Sequence, residues 1–192
     1  EAPPQTLVRE VTDSLDRAVT DERIKAVVLD LDGLQGGGLA KLQTIGDKIQ
    51  KVRDAGKKVI AIGSGYTRDQ YYLASRADEV IMHELGLVYL EGYDYYRMFF
   101  RSALEKLQVD LNVFRVGEFK SFVEPFIRDD MSAEDREASQ VWLSGLWSAW
   151  ERDVAAARKL KPGALQSYAD DLASRIEAEK GNAARAAVNA GL

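Results

Sequence analysis

The chain contains no cysteine and one histidine, His83. The first absence removes thiol nucleophiles, thiolate metal sites and disulfides together. The second denies a multi-histidine zinc site its ligands. His83 stands in "VIMHELG", which lacks the features of a nucleophile elbow, and it is expected to end a strand. No apolar run approaches the roughly 20 residues that cross a bilayer, and no signal-peptide pattern opens the chain. Any membrane anchor is therefore expected outside it. A basic excess is missing too: the formal net charge is −5, which gives no electrostatic reason to expect nucleic acid as a partner.

What is present suits a folded protein. With 46% hydrophobic and 30% charged residues over 192 positions, the chain can bury one sizeable core and carry helical additions. "TLVREVTDSLDRAVTD" places Leu7, Val11, Leu15 and Ala18 on one helical face. "AVVLDL" (26–31) is apolar at consecutive positions, as buried parallel strands tend to be. A helix follows, with Leu39, Leu42, Ile45, Ile49 and Val52 at helical spacing and Gly56 as its stop. "KKVIAIGSG" reads as a strand, "TRDQYYLASRAD" as a short helix, "EVIMHEL" as a strand and "GLVYLEG" as extended. In "YDYYRMFFRSALEKLQ", Tyr96, Phe99, Phe100, Ala103, Leu104 and Leu107 mark a helical face expected to pack into a core. "VDLNVFRVG" reads as a strand ending at Gly117.

Alternation of this kind predicts an α/β fold with a largely parallel sheet. The chain then turns helical. Ser132 can cap a helix with Asp135 as its capping-box partner, and the pattern runs to about Leu160, before Pro162-Gly163. That helix carries two apolar stripes, one of Ala138, Val141, Trp142, Gly145, Leu146 and Ala149, the other of Leu143, Trp147, Trp150 and Val154. Two-sided burial implies a second domain or subunit, or else cover for the second stripe from the terminal helices. The expected division is an α/β core with its N-terminal helix over 1–125 and a helical extension for packing and assembly over 126–192.

Two stretches invite a chemical reading. Asp30-Leu31-Asp32-Gly33 at a strand end has the residue types of a phosphatase nucleophile loop, which needs Mg²⁺ and a second acidic pair after a later strand. Neither Asp129-Asp130 nor Asp170-Asp171 follows a strand, so the motif lacks its context. "GEFKSFVEPFIRDD" (117–130) sets Lys120 among Phe119, Phe122, Val123, Pro125 and Phe126. A solvated lysine, with a pKa of about 10.4, is a poor base at neutral pH. Desolvation that lowers it by about 3 units favours the neutral amine by roughly 4 kcal/mol, and a neutral amine can deprotonate a serine hydroxyl. Glu118 and Glu124 could instead pair with it and raise its pKa.

"VFRVGEFKSFVEPFIRDDMS", together with "GGGLAKLQ" (36–43) and "YYLASRADEV" (71–80), resembles the N-terminal half of the long form of the bacterial signal peptide peptidase A (protease IV) family. The resemblance runs from about Leu7 to the end, with three motifs in order. It implies a crotonase/Clp-protease-like β-β-α superhelix and a Ser/Lys-dyad endopeptidase, without metal or cofactor. Signal peptides left at the bacterial inner membrane, on the periplasmic side, would be its substrates. Lys120 matches the family's lysine motif and is the implied general base. The serine would come from a C-terminal half of the same protein, within a homo-oligomer held to the membrane by a segment outside this chain. The family's Ser-Gly-Gly-Tyr motif falls here on Arg68-Asp69-Gln70-Tyr71, where no serine stands. Ser64, Thr67 and Ser121 read as turn, capping or surface hydroxyls. Gly37 and Gly38 match the family's glycine loop, which can present N–H groups to an oxyanion, and here they are read first as a turn. A non-catalytic assembly module and a crotonase-type acyl-CoA enzyme are the competing readings.

Overall fold

The computed structural model describes residues 5–112 and 121–192. In chain order the elements are α1 (Val8–Thr20), β1 (Ala26–Asp30), α2 (Leu39–Asp54), β2 (Lys58–Gly63), β3 (Tyr66–Thr67), α3 (Arg68–Ala74), β4 (Glu79–Met82) and β5 (Val88–Tyr89). After them come α4 (Arg101–Lys106), a 3₁₀ turn (Ser121–Val123), α5 (Glu124–Ile127), α6 (Ala133–Arg158), α7 (Ala164–Asp170), α8 (Leu172–Ala178) and α9 (Ala183–Asn189). The chain divides into two compact units, Glu1–Gly92 with Ala149–Leu192, and Tyr93–Ser148. The division expected after residue 125 falls inside the second of these.

The first unit is built on parallel strands, as the alternating pattern predicts. β1, β2 and β4 pair in that order, Val28 opposite Ile60 and Ile62 opposite Ile81, and β3 pairs with β5, also in parallel. Successive side chains leave opposite faces of a strand, so one face carries the fully buried Val59 and Ala61 beneath helices that pack on β2. The other face is open: Val28 is 57% exposed and Ile81 51%. β1 is thus not buried on both sides as its apolar run suggests, because the helices cover one face only. α2 buries Leu42, Ile49 and Val52 and stops at Gly56, whose φ of 77° is left-handed. Leu7, expected on the buried face of α1, is instead its exposed N-cap. His83 directly follows β4, and Gly86 lies so close beneath that a Cβ there would sit 2.3 Å from the Ser64 carbonyl.

The last part of α6 belongs to this unit. Trp150 and Val154 of its second stripe are fully buried. Their helix is held by polar contacts to α2 and α3: Asp153 accepts from Gln43 Nε2 and from the Tyr72 hydroxyl, both at 2.9 Å. Trp150 Nε1 donates to the Arg68 carbonyl at 3.2 Å. The terminal helices add the fully buried Leu165 and Tyr168, the latter donating its hydroxyl to the Val88 carbonyl.

In the second unit the sequence pattern overpredicts regular structure. Residues 93–100 are not helical, and the expected helix shrinks to α4. The backbone N–H of Phe100 donates to the Pro125 carbonyl at 2.6 Å, a contact that takes the place of a helical bond. The aromatic face expected to form a core lies open, with Tyr96 87% exposed and Phe100 and Leu107 also exposed. Residues 109–112 form no strand, and the rest of that expected strand, to Gly117, lies outside the described residues. Ser132 caps α6 as expected, its Oγ accepting the Asp135 N–H at 3.1 Å. The capping box does not close on Asp135, because the Ser132 N–H donates to Glu124 at 3.1 Å. Val141 and Trp142 of the first stripe are exposed.

Candidate active site

The loop after β1 ends its strand with two linked turns. Asp30 Oδ1 accepts the Asp32 N–H at 3.2 Å, and Asp32 accepts both the N–H of Ser64 at 2.6 Å and its hydroxyl at 2.8 Å. The Ser64 N–H, then its hydroxyl, hold the Asp32 carboxyl below its ordinary pKa. The Asp-x-Asp stretch therefore acts as a staple between the ends of β1 and β2. Among the described residues no group of three acidic or histidine side chains is placed to hold a metal ion.

The glycine loop comes next along the chain. Gly36 and Gly38 have φ of 141° and 71°, which a side chain would disfavour, and Gly38 is the N-cap of α2. The Gly37 N–H, the donor that could face an oxyanion, donates to Asp69 Oδ2 at 3.3 Å. Asp69 Oδ1 accepts from Arg68 Nε at 3.0 Å, and Arg68 Nη1 reaches the Gly92 carbonyl at 2.8 Å. Gln70 Nε2 donates to the carbonyls of Leu31 and Leu34, at 2.9 and 3.1 Å, while its side-chain oxygen closes a capping box with Thr67. The four residues on which the resemblance lays the serine motif thus begin α3 and tie the loops around it. Thr67 serves as a cap and Ser64 as a turn donor. Only the apparent motif pointed to Asp69, and sequence reasoning gave it no role.

Lys120, the one residue expected to be catalytic, lies with Phe119 outside the described residues. Its C-terminal neighbours are described. Ser121 opens the 3₁₀ turn, and Glu124 opens α5 with Pro125 in its first turn. Phe122 is 82% exposed. Phe126 stacks on Phe100 at 6.2 Å between ring centroids. Glu124, one of the two acidic residues that could pair with the lysine, is buried and accepts the Ser132 hydroxyl at 2.6 Å and its N–H at 3.1 Å. Arg97 Nη1 donates to the Ser121 carbonyl and to Asp135 Oδ2, each at 3.0 Å. Sequence reasoning missed this arginine, since nothing in the pattern couples residues 97, 121 and 135.

No helix among the described residues is long and apolar enough to cross a membrane. Residues 51–187 match the model of peptidase family S49. The chain is 39% identical over 183 residues to Protease 4 of Haemophilus influenzae, covering 95% of this chain and 30% of that protein. It is 36% identical over 180 residues to Protease 4 of Salmonella typhi, covering 94% and 29%. To the chloroplastic serine protease SPPA of Arabidopsis thaliana it is 25% identical over 168 residues, covering 88% and 25%. It thus spans under a third of the length of each of these curated relatives. The matched region takes in the parallel-sheet strands from β2 onward, the Arg68-to-Tyr71 loop clamp and the segment around Lys120, and on that match the chain belongs to peptidase family S49.

Proposed function

We propose that this chain is the lysine-bearing part of a Ser/Lys-dyad endopeptidase, from the N-terminal half of a long-form signal peptide peptidase. Lys120 is its general base, and the serine comes from a C-terminal half of the same polypeptide. One observation carries the reading: the family's nucleophile position falls on Arg68, and the carboxylate of the next residue, Asp69, already sits on the Gly37 N–H. A fixed negative charge on that donor opposes a second one developing there, which supports placing the working serine and oxyanion hole elsewhere. The fold of the whole is a crotonase/Clp-like superhelix. The order β2, β3, α3 supports this as one β-β-α turn.

The neutral amine of Lys120 takes the serine Oγ proton as that oxygen bonds to the scissile carbonyl carbon. The ammonium then returns a proton to the leaving nitrogen as the C–N bond breaks, and water hydrolyses the acyl-enzyme. Substrates are cleaved signal peptides, apolar and extended, met on the periplasmic side of the inner membrane by a homo-oligomer anchored through another segment. The test is the long polypeptide, or this chain with its serine-bearing half added. Peptidase activity should appear and then vanish in Lys120→Ala while light scattering reports the same assembly. Undiminished turnover in that variant removes the base assignment.

The open apolar surface of the second unit favours one competitor, a purely structural assembly module. Assembly without any serine-dependent turnover in the long polypeptide would select it. The acyl-CoA reading fits less well, because Asp69 occupies the amide it would need; measurable binding of a CoA thioester would revive it.

A further inference from the structure

We propose that the open face of the β1-β2-β4 sheet docks the apolar stretch of a signal peptide, with the basic end of that peptide against Asp30 and Asp32. The inference rests on signal peptides being the substrates, and deepens that reading. Parallel sheets seldom leave a face bare, because their strands carry apolar side chains on both sides. Here α2 and α3 cover one face, with Val59 and Ala61 fully buried beneath them. The register lines up the other face, Val28 beside Ile60 and Ile62 beside Ile81. Val28 and Ile81 are more than half exposed, and Ile60 and Ile62 are partly exposed. Four aliphatic side chains on three strands thus form one patch, roughly 10 Å across at about 4.8 Å between strands.

Charge decides what fits it. At the C-terminal ends of the strands the patch meets a cavity of about 340 Å³ lined by Asp30, Asp32, Ser64 and His83 together with Ile62 and Ile81. Asp30 accepts the Asp32 N–H, and Asp32 accepts the N–H and hydroxyl of Ser64. Both aspartates are exposed, and among the described residues neither is joined to a lysine or arginine. At the opposite end of the strands Lys58 pairs with Glu79 at 2.6 Å, so that end offers no uncompensated charge. A ligand for this surface is therefore apolar along the patch and cationic at the Asp30 end. A signal peptide has that makeup, a positively charged n-region followed by an apolar stretch of about 7–15 residues. A helix suits the apolar part, since it satisfies its own backbone groups and asks no hydrogen bonds of the aliphatic side chains below. The docked stretch is helical even where the stretch to be cut is extended.

The experiment uses the long polypeptide and a synthetic signal peptide, reading kcat and KM for the parent, Asp30→Asn, Asp30→Lys and the double variant Val28→Ser with Ile81→Ser. Asparagine keeps an acceptor for the Asp32 N–H, so Asp30→Asn removes the charge without removing that turn. The expected result is KM raised about threefold in Asp30→Asn and about tenfold in the double variant, with kcat near the parent's. Asp30→Lys should raise KM further and recover most of the loss with a peptide whose n-region lysines are replaced by glutamate, an exchange that a purely structural Asp30 would not produce. Unchanged KM in all the variants, beside parental cleavage, overturns the docking face and leaves the substrate reading standing, the face then being covered by another part of the polypeptide. If the parent does not cleave the peptide, the substrate reading falls, and fluorescence anisotropy of labelled peptide with this chain decides the face alone: binding weakened in Asp30→Lys upholds it, and no binding overturns it. Should the double variant fail to fold, the Asp30→Lys exchange decides.

Discussion

The unit built on the parallel sheet buries Ile49, Val59, Tyr72 and Trp150, whereas the described residues of the 93–148 unit that are buried are Glu124, Ser132, Asp135 and Ser139. The apolar side chains of the second unit point outward instead, among them Tyr96, Phe122, Val141 and Trp142. A unit that hides its hydrogen-bonded groups and shows its greasy ones gains little from the hydrophobic effect on its own account. The first unit has the makeup of a scaffold. The second has that of a surface prepared to be covered.

That contrast can be broken at several points. If the chemistry lies in the second unit, Lys120→Ala in the long polypeptide should lower turnover by about 10³-fold, within the range of general-base losses, as measured by peptide cleavage. The first unit should dominate stability. Trp150→Ala leaves a cavity between α6 and its neighbours and should cost about 3–5 kcal/mol in urea unfolding, and a value under about 1 would mean the site collapses freely. In the second unit the network matters more than the greasy surface. Glu124→Gln keeps the shape but weakens both Ser132 bonds, and about 1–3 kcal/mol should be lost.

Both units should respond to acid through depressed aspartates, Asp21, Asp32 and Asp78 in the first and Asp129 in the second. Asp32 is held low by the N–H and hydroxyl of Ser64, and Asp129 by the hydroxyl and N–H of Ser102. A depressed carboxylate stabilises the fold above its unfolded pKa of about 4, and that contribution disappears as pH falls through the lower folded value. Asp32→Asn and Asp129→Asn should each flatten the acid limb of the unfolding curve, and an unchanged limb in either refutes its clamp. At high pH the tyrosines of the first unit respond. Burial first of all pushes Tyr66, Tyr72 and Tyr168 up to about 12. Stability should therefore fall as pH rises from about 10, where unfolded tyrosine ionises, towards 12. Absorbance at high pH would show whether ionisation coincides with unfolding. The smallest effect is expected from Val141→Ser, within about 0.5 kcal/mol for the isolated chain.

Much of the first unit was legible from spacing alone, because its helices bury one face and its strands are short and apolar between turn residues. The places of α1, α2 and α3, the glycine stop at residue 56 and the strand before His83 follow from local chemistry, although α3 ends at Ala74, short of the expected Asp78. The failures cluster in residues 93–112. There the aromatic pattern satisfied a helical period, but the Arg97 side chain and the Phe100 N–H are spent on the chain around residues 121–125. A partner more than 20 positions away leaves no trace in a local window. The same reason hid Asp69: an acidic residue in a helix's first turn is ordinary until Gly37 is seen to donate to it.

By itself the sequence determined the alternation of strands and helices, the lysine motif and, through its three ordered motifs, the family, since each depends on residues close together in the chain. Which face of the sheet is covered, which carboxylate meets the glycine loop and which arginine holds the Ser121 carbonyl were decided only in three dimensions. Hydrogen bonds and burial act over a few ångströms of space whatever the separation along the chain, so they cannot be read from order alone.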